Sequence, residues 1–167
     1  MRKQLKQVQG FSLLELMIAL VVLGVLLGIG IPSFNSITES TQLRAVTHSL
    51  NSATQLARSE ALDTRDDTAV CRASVNFDAC DFATDWSTGW VVVTLTGADL
   101  ETPADVTVVR VWEPVDIVVS GAANGFVFNS SGRATTNGDI QIQSNAESRF
   151  ICVNGSGRVA VLEVNCP

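Results

Sequence analysis

The most unusual residue able to do chemistry in this sequence is Glu15, the only charged residue between Phe11 and Ile31. Burying a carboxylate in so apolar a segment is unfavourable unless a cation pairs with it. Cleavage between Gly10 and Phe11 would create such a cation, because the new amine of Phe11 would lie four residues before Glu15. The chemistry that this pattern predicts is ion pairing, within the chain or with a neighbouring molecule.

Four cysteines form the second candidate group. An even number of cysteines in an oxidising compartment predicts disulfides, and four cysteines allow three pairings. Because short loops close most readily, we predict the bonds Cys71–Cys80 and Cys152–Cys166. The alternative is a zinc site, but no two cysteines have the spacing of a zinc motif and the only histidine, His48, lies on a predicted helix. We therefore expect no metal and no cofactor.

The sequence does not favour an enzyme. It has no recognisable nucleophile–base motif, no phosphate-binding loop and no cluster of metal ligands. Its formal net charge is −6, and an acidic protein repels the phosphates of nucleic acid. We expect neither a catalyst nor a nucleic-acid-binding protein.

An apolar segment follows a basic N-terminus. Residues 11–31 form a run whose helical length of about 30 Å matches the hydrocarbon core of a bilayer. The positive residues Arg2, Lys3 and Lys6 precede it, and positive charge before a membrane segment stays in the cytoplasm. We therefore predict a single-pass transmembrane helix with an exported C-terminal part.

The rest of the chain changes from a helical to a strand pattern. After Pro32, apolar residues recur at three- and four-residue steps, which predicts an amphipathic helix over residues 32–63. Together with residues 11–31 it would form one long helix, kinked near Pro32. From residue 64 onward, short β-rich runs alternate with turn signals, which predicts antiparallel sheets packed on the helix and an α+β fold. The predicted strands are 68–72, 89–96, 105–112, 115–120, 125–129, 139–143, 149–154 and 158–164.

The run Gly10-Phe11-Ser12-Leu13-Leu14-Glu15, with the apolar span after it, resembles the processing motif of type IV prepilins and type II secretion pseudopilins. The resemblance implies that a prepilin peptidase removes residues 1–10 as a leader and methylates the Phe11 amine. It also implies a protein of the bacterial inner membrane with a periplasmic C-terminal domain that later joins a pilus or pseudopilus. Pro32 matches a proline at which the helix of this superfamily bends.

Three further patterns narrow the resemblance to the GspH/FimT family of minor pilins. The first is Ala57-Arg58-Ser59-Glu60-Ala61, which closes the long helix and is followed by a strand ending Val70-Cys71. The second begins at Trp86-Ser87-Thr88-Gly89-Trp90. The third is Phe128-Asn129-Ser130-Ser131-Gly132-Arg133, followed by the run from Ile151 to Val159 that contains Asn154-Gly155-Ser156-Gly157-Arg158. The resemblance implies a long helix packed on a domain of antiparallel β-sheets, residues 64–167. It also implies that the partners are other major or minor pilins or pseudopilins, bound through the N-terminal helix.

Three functions follow from this resemblance. The first is a minor type IV pilin that helps to initiate or cap a pilus, and the two predicted disulfides favour it. The second is a minor pseudopilin of type II secretion. The third is DNA binding for natural transformation, with Arg133 and Arg158 as the contact residues. The Gly-Arg-x-Arg motif of DNA-binding members is incomplete here, because Ala160 follows Gly157-Arg158-Val159.

Overall fold

The structure, a computed structural model, describes residues 11–145 and 147–167, and for residues 27–36 it describes the backbone only. The chain divides after Thr38 into two compact units, of which the second is Glu39–Pro167. Gly10 and the rest of the leader lie outside the described residues, as does the side chain of Pro32. The predicted bend at Pro32 stays a prediction.

One helix, α1, accounts for the helical part of the chain and runs from Leu13 to Thr64. In the second unit its buried residues recur at three- and four-residue steps, as the sequence predicts for a single apolar stripe. The helix ends at Arg65, which has a positive φ of 65° and donates its backbone N–H to the carbonyl of Ala61. Such a residue satisfies a terminal carbonyl of the helix. The buried stripe consists of Leu43, Val46, Leu50, Ala53, Ala57 and Ala61.

The strands form two four-stranded antiparallel sheets. Sheet 1 has the order β3-β2-β1-β5 and sheet 2 the order β4-β6-β7-β8. All eight predicted strands are present, within a few residues of the predicted bounds. They are β1 Thr68–Arg72, β2 Trp90–Leu95, β3 Val106–Trp112, β4 Val118–Gly121, β5 Phe126–Phe128, β6 Gly138–Gln143, β7 Ser148–Val153 and β8 Val159–Leu162.

The main core of the second unit lies between α1 and the two sheets. The helical stripe packs there with large side chains from both sheets, so the predicted α+β fold is confirmed. Trp86 and Trp90 are both 1% exposed, as expected for tryptophans that pack a core. Trp90 stacks on Trp112, with ring centroids 6.4 Å apart. Burial of each such side chain stabilises the fold by about 1.5–3 kcal/mol.

A second, smaller apolar cluster covers the face of sheet 1 that points away from α1. Its members alternate along β1 and β2 with those of the main core, so both faces of the sheet are covered. The disulfide Cys71–Cys80 fastens the loop after β1 to this face, with a Cα–Cα distance of 5.6 Å. A second disulfide, Cys152–Cys166, joins the C-terminal segment to β7. These are the two pairs that short loops favour, and bonds of this kind stabilise a fold by about 3 kcal/mol each.

Among the described residues, no helix has both the length and the apolar character needed to cross a membrane. The predicted span, residues 11–31, includes residues 27–31, whose side chains lie outside the described part.

Candidate assembly site

The N-terminal part of α1 exposes its apolar side chains. Every residue from Phe11 to Leu26 is exposed, and the large apolar side chains among them are 51% to 83% accessible. Contiguous apolar surface of this kind marks a site of interaction with a membrane or another protein. The segment is therefore the first part of the candidate site.

Glu15 lies in the first turn of α1, within this apolar segment. A carboxylate there interacts favourably with the helix dipole. Glu15 is exposed and forms no ion pair with any residue that the structure describes. Phe11, also exposed, precedes the helix by two residues. The arrangement leaves Glu15 accessible to a cation of a neighbouring molecule.

Arg133 and Arg158, the contact residues named for the DNA-binding alternative, end two turns of the same construction. In each turn the side-chain oxygen of an asparagine accepts hydrogen bonds from the backbone N–H groups two and four residues later. For Asn129 these bonds measure 3.0 and 3.1 Å, and for Asn154 they measure 3.2 and 3.0 Å. We call Asn129–Arg133 and Asn154–Arg158 the twin turns. Their glycines, Gly132 and Gly157, have φ values of 70° and 78°, as expected for glycines that supply a positive φ.

The twin turns pack against each other and against α1. A Cβ atom built on Gly157 would overlap the carbonyl oxygen of Gly132. The same oxygen accepts a hydrogen bond of 3.1 Å from Nε of Arg58. The sequence places Arg58 in the run that closes the helix but does not reveal this contact. The sequence signal for the two turns is their shared pattern of Asn, any residue, Ser, Gly and Arg.

Arg72, at the end of β1, also has a role that the sequence did not reveal. Its guanidinium donates from Nη1 to the carbonyl of Thr84 at 2.8 Å and from Nη2 to the carbonyls of Phe82 and Ala123. Phe82 and Thr84 follow Cys80 in the loop between β1 and β2, and Ala123 lies in the connection between β4 and β5. Arg72 thus joins two loops on sheet 1.

The polar face of α1 carries His48, which is exposed. It lines a shallow cavity of about 290 Å³ with Arg44, Asn51 and Arg149. Within the described residues, no group of three or more His, Cys, Asp or Glu side chains is placed to hold a metal ion. The arrangement offers surfaces for association.

A long helix with an exposed apolar N-terminal part, packed on antiparallel sheets, defines the class of pilin-like subunits. Residues 46–157, which are 112 of the 167, match the family model of the type II transport protein GspH. Residues 5–31 match the prokaryotic N-terminal methylation motif. The chain therefore belongs to the GspH/FimT family of type IV pilin-like proteins, as a minor pilin or pseudopilin.

Two solved structures have the same fold. Both are crystal structures of the type IV minor pilin FimU of Pseudomonas aeruginosa strain PAO1. The first, in space group P21, has a TM-score of 0.57 at 20% identity and covers 75% of this chain and 92% of FimU. The second, in P65, has a TM-score of 0.54 at 18% identity and covers 71% and 91%. No curated protein sequence matches the chain significantly.

Proposed function

We propose that the chain is a minor pilin that helps to initiate or cap a type IV pilus, after a prepilin peptidase has cut between Gly10 and Phe11 and methylated the new amine. The observation that carries this proposal is the exposed apolar segment Phe11–Leu26, whose first helical turn holds Glu15 without an ion pair to any described residue. The segment lies within the region that matches the N-terminal methylation motif. A subunit built this way needs a partner for both its apolar surface and its carboxylate.

The inner membrane is the first such partner in this proposal, and the filament is the second. Before assembly, residues 11–31 anchor the chain and the β domain lies in the periplasm. On assembly, the same segment packs among the helices of other pilins, where lipid no longer surrounds it. Glu15 then pairs with the Phe11 amine of a neighbouring subunit. Removal of the leader changes the formal net charge from −6 to −9, because Arg2, Lys3 and Lys6 leave with it.

A pseudopilin of type II secretion is the second candidate, and the match to the type II transport protein GspH favours it. The pair of disulfides and the fold shared with a type IV minor pilin favour the pilus. DNA binding has less support, since the net charge is −6 and the motif around Arg158 lacks its second arginine.

The experiment is deletion of the gene in the native bacterium, with surface pili and protein secretion measured in parallel. If the chain initiates or caps pilus assembly, the deletion strain should have fewer surface pili and unchanged protein secretion. The opposite result would assign the chain to the secretion machine. Complementation with Gly10→Val separates processing from folding, because a side chain at the cleavage site should block the peptidase. The intact mass of the wild-type chain should correspond to a methylated Phe11 terminus, and an uncut wild-type chain would contradict the proposal.

A further inference from the structure

The twin turns place arginines next to one another on the surface. Arg133 and Arg158 each follow one of the two glycines that pack together, and both arginines are exposed. Arg58 reaches the same point through its bond to the carbonyl of Gly132. That bond uses only its Nε. The two terminal amino groups of Arg58 have no hydrogen-bond partner among the described residues. Three arginines are therefore attached to neighbouring parts of the backbone at this point of the surface.

These arginines carry no counterion among the described residues. Beyond residue 10 the sequence has eight arginines and no lysine. Arg72 is held by carbonyls, Arg110 lies over the ring of Trp112 at 5.0 Å, and Arg149 pairs with Glu163. Within the part of the chain that the structure describes, Arg58, Arg133 and Arg158 form no ion pair. The twin turns themselves contain no acidic residue.

The backbone under these arginines is fixed before any partner binds. The asparagine side chains bind the N–H groups of both arginines, and the glycines adopt the positive φ that the turns require. A backbone that is already ordered loses little conformational entropy on association. The fold therefore holds three arginines on a fixed backbone, on a protein of net charge −6.

We propose that the twin turns and Arg58 bind carboxylate groups on the globular domain of an adjacent pilin-like subunit; this inference rests on the proposed function. Guanidinium groups match carboxylates through paired hydrogen bonds, and arginine is enriched at protein interfaces. A subunit with the composition of this chain, which has 17 acidic and 11 basic residues, supplies such groups. A nucleic acid fits less well, because its phosphates would extend beyond these arginines and be repelled by the acidic protein.

The test uses the full chain, expressed in its native bacterium in place of the wild-type copy, with a photo-crosslinking benzoylphenylalanine at Ser130. Ser130 is exposed in the first twin turn, and the structure shows no hydrogen bond of its side chain. A second series carries the crosslinker at Leu16, which reports association through the N-terminal helix. Crosslinked products are isolated from sheared filaments and their peptides are identified by mass spectrometry.

We expect Ser130 to crosslink to a peptide of another pilin-like subunit that contains Asp or Glu. In the double variant Arg133→Gln, Arg158→Gln the yield should fall by about tenfold, as two exposed ion pairs are lost. Arg110→Gln is the matched control, because Arg110 lies on β3 at the opposite edge of sheet 1 from β5. That control should leave the yield unchanged, and the Leu16 crosslink should persist in every variant.

A Ser130 crosslink to nucleic acid, or to a pilin-like surface without acidic residues, would overturn the inference. So would a yield that does not fall in the double variant. If Leu16 crosslinks to pilins while Ser130 gives no product, the inference fails and the proposed function stands. Absence of the Leu16 product as well would mean that the chain does not assemble, and both would fail.

Discussion

Gly157 packs directly on the carbonyl oxygen of Gly132, so that the two twin turns form one unit at the C-terminal end of α1. The contact joins the turn between β7 and β8 to the turn after β5, which belongs to the other sheet. It leaves no space for a side chain at Gly157.

Gly157→Ala should therefore destabilise the β domain. A residue with a Cβ is disfavoured at a φ of 78° by about 1–2 kcal/mol, and the overlap with a backbone atom adds about 1–3 kcal/mol. Gly155→Ala is the matched control in the same turn, since a Cβ there meets nothing within 4 Å and its φ is not positive. Denaturant unfolding of both variants, with disulfides intact, measures the difference. Equal stabilities would show that the turns do not depend on this contact.

Two buried tryptophans give a second matched comparison. Nε1 of Trp86 donates to the carbonyl of Gly121 at 2.9 Å. Nε1 of Trp90 is buried and has no partner among the described residues. Trp86→Phe and Trp90→Phe both remove one ring, but only the first leaves a carbonyl without its donor. We expect Trp86→Phe to lower the free energy of unfolding by about 1–2 kcal/mol more than Trp90→Phe does. The reverse order would contradict this assignment.

The strands could be predicted from sequence because local signals define them. Dipeptides such as Asn124-Gly125 and Asn137-Gly138 mark turns, and the β-rich runs between them became strands. The order of the strands in each sheet depends on packing between distant segments, which these signals do not contain. For that reason the contacts of Arg58 with Gly132, 74 residues away, and of Arg72 with Ala123, 51 residues away, were not predicted.

Arg72→Lys should loosen residues 82–84, which follow Cys80 in the loop between β1 and β2. A guanidinium donates in several directions at once, whereas an ammonium is a compact group that cannot span the carbonyls of both Phe82 and Ala123. We expect a loss of about 1–3 kcal/mol in unfolding free energy and faster hydrogen exchange in residues 82–84. Arg110→Lys serves as the control, because Arg110 is exposed and its guanidinium lies over the ring of Trp112. If the two variants behave alike, the contacts of Arg72 do not hold the loop.

Glu15 allows the sharpest test of assembly. Glu15→Leu should leave cleavage and the β domain intact, because Glu15 is exposed and lies outside the compact unit Glu39–Pro167. What the variant should lose is recruitment into filaments, since the carboxylate can no longer pair with a neighbouring Phe11 amine. The amount of the chain in sheared filaments, relative to the membrane fraction, should fall by about tenfold or more for a lost buried ion pair.

The position of the charge can be separated from its presence. The double variant Glu15→Leu, Leu16→Glu keeps the composition of the segment but moves the carboxylate by about 1.5 Å along the helix and about 100° around it. If Glu15 sets the stagger between subunits, this variant should assemble as poorly as Glu15→Leu, while Glu15→Asp should assemble better than either. If the double variant enters filaments as well as wild type, the apolar segment needs a negative charge but not at position 15. The position of Glu15 would then not set the stagger between subunits. If Glu15→Leu itself assembled as well as wild type, recruitment into the filament would have to depend on the globular domain. The surface formed by Arg58, Arg133 and Arg158 would then be the first candidate for that contact.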